Sequence, residues 1–309
     1  MHQLTNHIMM IRPANFGFND QTAANNAFQS KDKISDTQLL KDIARDEFDN
    51  MVAILRSKGV HVLVIEDTEM PIKPDAVFPN NWISFHENGT LITYPMYAPN
   101  RRIERREDIV EQIENKFIVK NRYSFEFYET EDDIYLEGTG SMIFDRPNGI
   151  VYACLSQRTD ATLLDKFCVL MGSNSCVFRS VDRFGIEIYH TNVMMALGED
   201  FVVICMESIP DEDSRKKLLS LFEKTGKEII EISYAQMETF AGNMLEVMGS
   251  GGNRYLVLSQ SAYDSLHSDQ LLRLSALTNL LPIPIPNIEK FGGGSVRCMM
   301  AEVFLPVRR

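Results

Sequence analysis

Two rhythms of hydrophobic and polar positions alternate along the chain. Short apolar runs of strand length are separated by longer stretches in which apolar residues recur every three or four positions. Residues 7–12 (HIMMIR) read as a strand. Within 37–58, Leu39, Leu40, Ile43, Phe48, Met51, Val52 and Leu55 fall on one helical face, and Gly59 follows as a stop. VHVLVI (60–65) reads as the next strand. Residues 81–86 and 90–95 read as two strands turned at Glu87-Asn88-Gly89, where Asn-Gly supplies the turn chemistry.

The same succession then returns. Helices are predicted over 102–116, 160–171, 214–225 and 264–274. Strands are predicted over 124–128, 141–145, 150–155, 193–197, 201–206, 228–232, 245–249, 255–259 and 282–285. The unit hairpin, helix, strand occurs four to five times, over about 60 residues each, without residue-level identity. Repetition of one supersecondary unit points to a radial or stacked α/β architecture, with an ordinary open sheet as the plainer alternative. No Ser/Gly/Pro-rich linker divides the chain, so residues 1–309 read as one domain.

Composition narrows the function classes. With 309 residues, 44% of them apolar and 24% charged, the chain has the make-up of a globular protein rather than a disordered or collagen-like one. Lys and Arg number 31 against 43 Asp and Glu, a net charge of −12. Nucleic acid and anionic membranes both reward a basic face, so neither is an expected partner. No run approaches the length of a membrane span, and HIMMI (7–11) is too short and lacks the flanks of a signal peptide, so a cytoplasmic location is expected. The five Cys (154, 168, 176, 205, 298) are odd in number and form no Cys-x-x-Cys pair. Cys154, Cys168 and Cys205 sit in apolar surroundings and read as core. No His/Asp/Glu cluster has metal-ligand spacing and no phosphate loop is present, so neither metal nor cofactor is expected.

Several polar residues stand out against this frame. Gly292-Gly293-Gly294-Ser295-Val296-Arg297-Cys298 is a loop whose glycines permit close approach of backbone to a ligand, and a Cys at its end is a candidate nucleophile. A tight turn followed by a buried Cys is the bland reading of the same residues. His190, in IYHTNV, would gain meaning as a base for that Cys; alone it reads as a core or turn histidine. Glu137, in LEGTGS, is able to orient a His or to be a solvated turn acid. Asp75, Asn80 and Asn81 lie in PDAVFPNNW beside the only Trp, and Arg158 in LSQRTD suits either a carboxylate grip or a local cap.

Taken in order, PDAVFPNNW (74–82), Arg101-Arg102, LEGTG (136–140), LSQRTD (155–160), YHTNV (189–193) and GGGSVRC (292–298) resemble the guanidino-group-modifying enzymes of the pentein superfamily. That superfamily holds dimethylarginine dimethylaminohydrolases, arginine and agmatine deiminases, and amidinotransferases. The resemblance covers about residues 8 to 305 and is nearest to an amidinotransferase-like branch that includes citrulline-degrading hydrolases. It implies a five-bladed α/β propeller of ββαβ units around a polar axis. It also implies Cys298 as nucleophile, His190 as acid/base, Glu137 as its acidic partner, and Arg158 and Arg101 as grips on a substrate α-carboxylate.

Two departures from the family pattern bear on the substrate. Related dimethylarginine hydrolases carry acids where this chain has Asn80 and Asn81, and deiminases carry one where it has Gly140. A buried guanidinium calls for carboxylates, whereas an amide pair offers both donors and acceptors to a neutral ureido group. The expected substrate is therefore citrulline, released as ornithine, ammonia and carbon dioxide. Asp75 keeps an arginine-type substrate open. A deiminase, a dimethylarginine hydrolase or an amidinotransferase is the alternative within enzymes, and a non-catalytic binding protein the alternative outside them. A homo-oligomer is compatible with the sequence.

Overall fold

The computed structural model describes residues 1–22, 26, 28–29 and 37–308. Fifteen strands among them form five separate three-stranded sheets, and all five are wired alike. The first strand of each runs antiparallel to the second, and a third then joins parallel to the second. Ile83–Phe85, Thr90–Thr93 and Asn121–Ser124 make one such blade. Ile143–Asp145, Ile150–Cys154 and Asn174–Phe178 make the next. Met195–Leu197, Phe201–Ile204 and Glu228–Glu231 follow, then Leu245–Met248, Arg254–Ser259 and Asn279–Ile283. The remaining blade is closed by both ends of the chain. Ala301–Glu302 pairs antiparallel with His7–Arg12, which pairs parallel with His61–Glu66. This is the five-bladed ββαβ propeller that the family resemblance implied.

The parallel step requires a crossover, and a helix supplies it in every blade. These helices are Thr37–Ser57, Glu107–Lys116, Ala161–Met171, Glu212–Lys224 and the broken pair Gln260–Ser265 and Ser268–Leu277. Asp160 and Asp211 cap two of them by accepting from the backbone N–H of Leu163 and Ser214. Middle strands such as Phe201–Ile204 are buried on both faces, which is why they read as unbroken apolar runs.

The outer strands depart most from expectation. Asn174–Phe178 was not anticipated at all, and the strand expected at 124–128 lies instead at Asn121–Ser124. Both are edge strands. Asn121–Ser124 is exposed at every position, and in Asn174–Phe178 only Cys176 and Phe178 are buried, so neither carries an apolar run. The helix expected over 102–116 is two, Pro99–Arg102 and Glu107–Lys116. No helix among the described residues is long and apolar enough to cross a membrane.

Candidate active site

Each blade enters its first strand through a short turn, and the five turns meet at the axis. The chain from 79 to 81 forms a single helical turn ahead of Ile83–Phe85. Gly138–Ser141 does the same ahead of Ile143–Asp145, and Thr191–Met194 ahead of Met195–Leu197. Residues 239–243 and 294–300 lead into the other two first strands. Glycines let these turns touch. A Cβ on Gly138 would stand 2.3 Å from the Asn80 carbonyl oxygen, and one on Gly242 would stand 2.2 Å from that of Val193. Gly138 also has a φ of +49°, which favours glycine.

Asp75, Asn81, Arg101, Arg158, His190 and Cys298 line one small cavity, together with Tyr189 and Gly292–Gly294. Glu137 stands behind this lining and is fully buried. Its Oε2 lies 2.7 Å from His190 Nε2, and its Oε1 accepts from the backbone N–H of Tyr97 at 2.9 Å. The remaining ring nitrogen, Nδ1, is on the side of Gly140. Burial pushes the Glu137 carboxyl up, but Arg158, His190 and Arg101 outweigh it and hold it at about 2. Burial dominates for His190 and lowers its pKa despite the bond from Glu137, so the imidazole is neutral near pH 7. Glu137 by itself raises the His190 pKa and so favours the charged imidazole, but burial outweighs it; the carboxylate also fixes the ring's orientation and tautomer.

Asn80 does not line the cavity. It is buried, and neither end of its side-chain amide has a hydrogen-bond partner. Asn81 does line it, and its orientation is set by Arg101. Arg101 Nη1 donates to Asn81 Oδ1 at 2.9 Å, and a guanidinium cannot accept, so the amide nitrogen faces the other way. That Nδ2 is buried, unpartnered, and 2.3 Å from where a Cβ on Gly140 would stand.

Arg101 is not free to serve as a carboxylate grip. Its Nε and Nη2 hold Glu104 at 2.9 and 2.8 Å, Nη2 also donates to the Phe78 carbonyl, and Nη1 to Asn81. Four of its five N–H bonds are thereby used inside the protein. Arg158 sits with its guanidinium 4.8 Å over the Tyr189 ring and 3.6 Å from Glu137 Oε2. Asp75 Oδ2 accepts from Asn19 Nδ2 at 2.7 Å and Thr22 at 3.4 Å, while Oδ1 has no hydrogen-bond partner. Burial raises the Asp75 pKa against the pull of Arg101 and Asn19.

Cys298 lies at the mouth of the last turn, 8% exposed, and Arg297 beside it turns away to Glu302. Two residues not anticipated from the sequence reach its sulfur, Asn243 Nδ2 at 3.3 Å and Asn192 Nδ2 at 3.5 Å. Gly-Asn before a strand reads as turn chemistry, so nothing local in the sequence singles out Asn243. The signal that would have found it is positional: like Asn81, it stands two residues ahead of the first strand of its blade. Three further side chains reach the lining: Asn19 donates to Asp75, Asn26 to the Gly293 carbonyl and Gln29 to that of Phe291.

All five cysteines are buried and unpaired. Among the described residues no group of three or more His, Cys, Asp or Glu stands where it would hold a metal ion. A larger groove, lined by His7, His61, Arg56 and Lys116 among others, holds no nucleophile–base pair.

Comparison with known proteins agrees with this geometry. The family model described as N,N dimethylarginine dimethylhydrolase, eukaryotic, matches residues 12–305. A search of curated proteins gave no match. Among solved structures, ArgZ, an arginine dihydrolase from the ornithine-ammonia cycle in cyanobacteria, superposes with a TM-score of 0.77 at 15% identity over 98% of this chain. The chain spans only 41% of the length of that protein. The N-terminal domain of ArgZ, covalently bound to a reaction intermediate, gives 0.73 at 15% identity, covering 97% of this chain and 98% of that one. A dimethylarginine dimethylaminohydrolase from Pseudomonas aeruginosa, complexed with citrulline, gives 0.66 at 16% identity over 97% and 100%. At these identities the likeness is one of fold.

Proposed function

The chain belongs to the N,N dimethylarginine dimethylhydrolase family of the pentein superfamily, cysteine-dependent enzymes of guanidino and ureido groups, and from that premise we propose that it hydrolyses citrulline to ornithine, ammonia and carbon dioxide. One observation carries the choice of head group. Arg101 turns the Asn81 amide so that its nitrogen, buried and without a partner, faces away from Arg101 on the side of Gly140. A ureido oxygen accepts such a bond, whereas a guanidinium offers only further donors. The buried carboxylate of Glu137 is already committed to His190 and Tyr97.

The steps follow from the groups present. The Cys298 thiol adds to the ureido carbon while its proton passes to His190. The bond from that carbon to the ornithine nitrogen breaks, and the departing amine takes the proton back. A thiocarbamate remains on Cys298. His190 then removes a proton from water, which attacks the thiocarbamate carbon; the carbon–sulfur bond breaks, the Cys298 sulfur takes the proton back from His190, and the carbamic acid released decomposes to ammonia and carbon dioxide. Glu137 holds the imidazole through the cycle. Arg158 suits the α-carboxylate, and Asp75 Oδ1 the α-ammonium. Arg101 acts one layer back, by orienting Asn81.

A second reading is favoured by that same Asp75 oxygen. If it receives the substrate's cationic head instead, arginine is accepted, as it is by the arginine dihydrolase ArgZ. The deciding experiment measures ornithine and ammonia from L-citrulline, with L-arginine in parallel, for the wild type and Cys298→Ala. Ornithine from citrulline, lost in the variant, is the expected result. Turnover of arginine alone would overturn the ureido assignment and leave the nucleophile intact.

A further inference from the structure

We propose that Asn243 is a further member of the reaction machinery, the amide that holds the Cys298 sulfur in line and supports its negative charge as the thiol gives up its proton. The inference rests on the reading of Cys298 as nucleophile. Asn243 is 1% exposed, and every atom of its amide is assigned. Its Oδ1 accepts from the backbone N–H of Arg297 at 3.1 Å, the residue immediately before the nucleophile. A backbone N–H can only donate, so the amide cannot be turned round. Its Nδ2 therefore points to the Asn192 carbonyl at 2.9 Å and to the sulfur at 3.3 Å. A single side chain thus ties three of the five axial turns together and leaves one N–H on the reacting atom.

The arrangement suits both protonation states. The neutral thiol lies 3.7 Å from Asn243 Oδ1, to which its S–H is able to donate. Once the proton has gone to His190, the Nδ2–H bond becomes charge-assisted and strengthens. Asn192 Nδ2, at 3.5 Å, adds a second donor from the neighbouring blade. Two amides give this support without placing a fixed charge against the substrate head, which a Lys or Arg in the same place would do.

The test compares Asn243→Asp with the wild type. Aspartate keeps the shape and the acceptor for the Arg297 N–H, and removes the donor to sulfur. Two readouts are taken: the pH dependence of Cys298 alkylation by iodoacetamide, located by mass spectrometry, and citrulline turnover. The pH of half-maximal alkylation is expected to rise by about one unit or more, with kcat down about 10- to 100-fold and KM little changed. If Asn243→Asp does not fold, Asn243→Ser removes the same donor without a charge and should move alkylation in the same direction by less. An unchanged alkylation profile in a folded variant would make Asn243 purely structural and overturn the proposal. Turnover surviving in Cys298→Ala would instead overturn the nucleophile reading, and this proposal with it.

Discussion

At the scale of single residues, chemistry in this protein depends on which way an amide or imidazole faces, and arginines and carboxylates decide that. Asn81→Asp tests the amide. The new carboxylate would pair with Arg101 and present an acceptor where a donor stood. Citrulline kcat/KM is expected to fall by about 100-fold, a loss of the size given by leaving a buried group unpaired, while arginine gains relative to it. Parallel assays of both substrates check this; an unchanged ratio would sink the donor argument. His190 predicts the pH behaviour. The reaction needs it neutral, and burial lowers its pKa from 6.5, so the acid limb of kcat/KM should lie below 6.5. Glu137→Gln removes the contact that raises it, so that limb should move lower still, with kcat reduced about 10³-fold or more by the wrong tautomer. A pH–rate profile of both proteins reads the sign directly.

At the scale of the elements, two glycines in equivalent turns should behave differently. A methyl on Gly140 meets the Asn81 amide nitrogen at 2.3 Å and His190 Nδ1 at 2.9 Å, which are side-chain tips able to move. A methyl on Gly242 meets the Val193 carbonyl at 2.2 Å, which is backbone in the next turn. Gly140→Ala is therefore expected to fold with a stability change under about 1 kcal/mol and to lose most of its activity. Gly242→Ala should lose about 2–4 kcal/mol of stability. Chemical denaturation and turnover, measured on both, separate the two.

At the scale of the whole molecule, the ring is closed by its own ends. Ala301 and Val303 are buried, Val303 N–H donates to the His7 carbonyl, and Thr5 to that of Val303. Ending the chain after Met300 should cost at least about 3 kcal/mol through lost apolar burial alone. It should also loosen the turn that carries Cys298; calorimetry should find a lower, broader transition. Acid stability is a second property of the whole fold. Glu137 has a folded pKa near 2 against an unfolded 4.5, so its contribution is complete above 4.5 and is lost as pH falls through 2. The amount is about 3 kcal/mol. The stability gap between wild type and Glu137→Gln should accordingly close over that range.

The sequence by itself determined the recurring hairpin–helix–strand unit, because apolar period is a local property. It also determined the order of polar motifs that identify the family. Strand Asn174–Phe178 escaped it because an edge strand with only two buried residues has almost no period to read. The tertiary structure alone decided how the axial residues divide their work. His190 meets Glu137 across 53 residues, and Asn243 meets Cys298 across 55. No spacing rule links such pairs; they meet because five like blades bring their entry turns to one point. Arg101 shows the consequence. Read along the chain, it is a cation suited to a substrate carboxylate. In the fold its N–H bonds are spent on Glu104, Phe78 and Asn81, and its contribution is the direction in which one amide points.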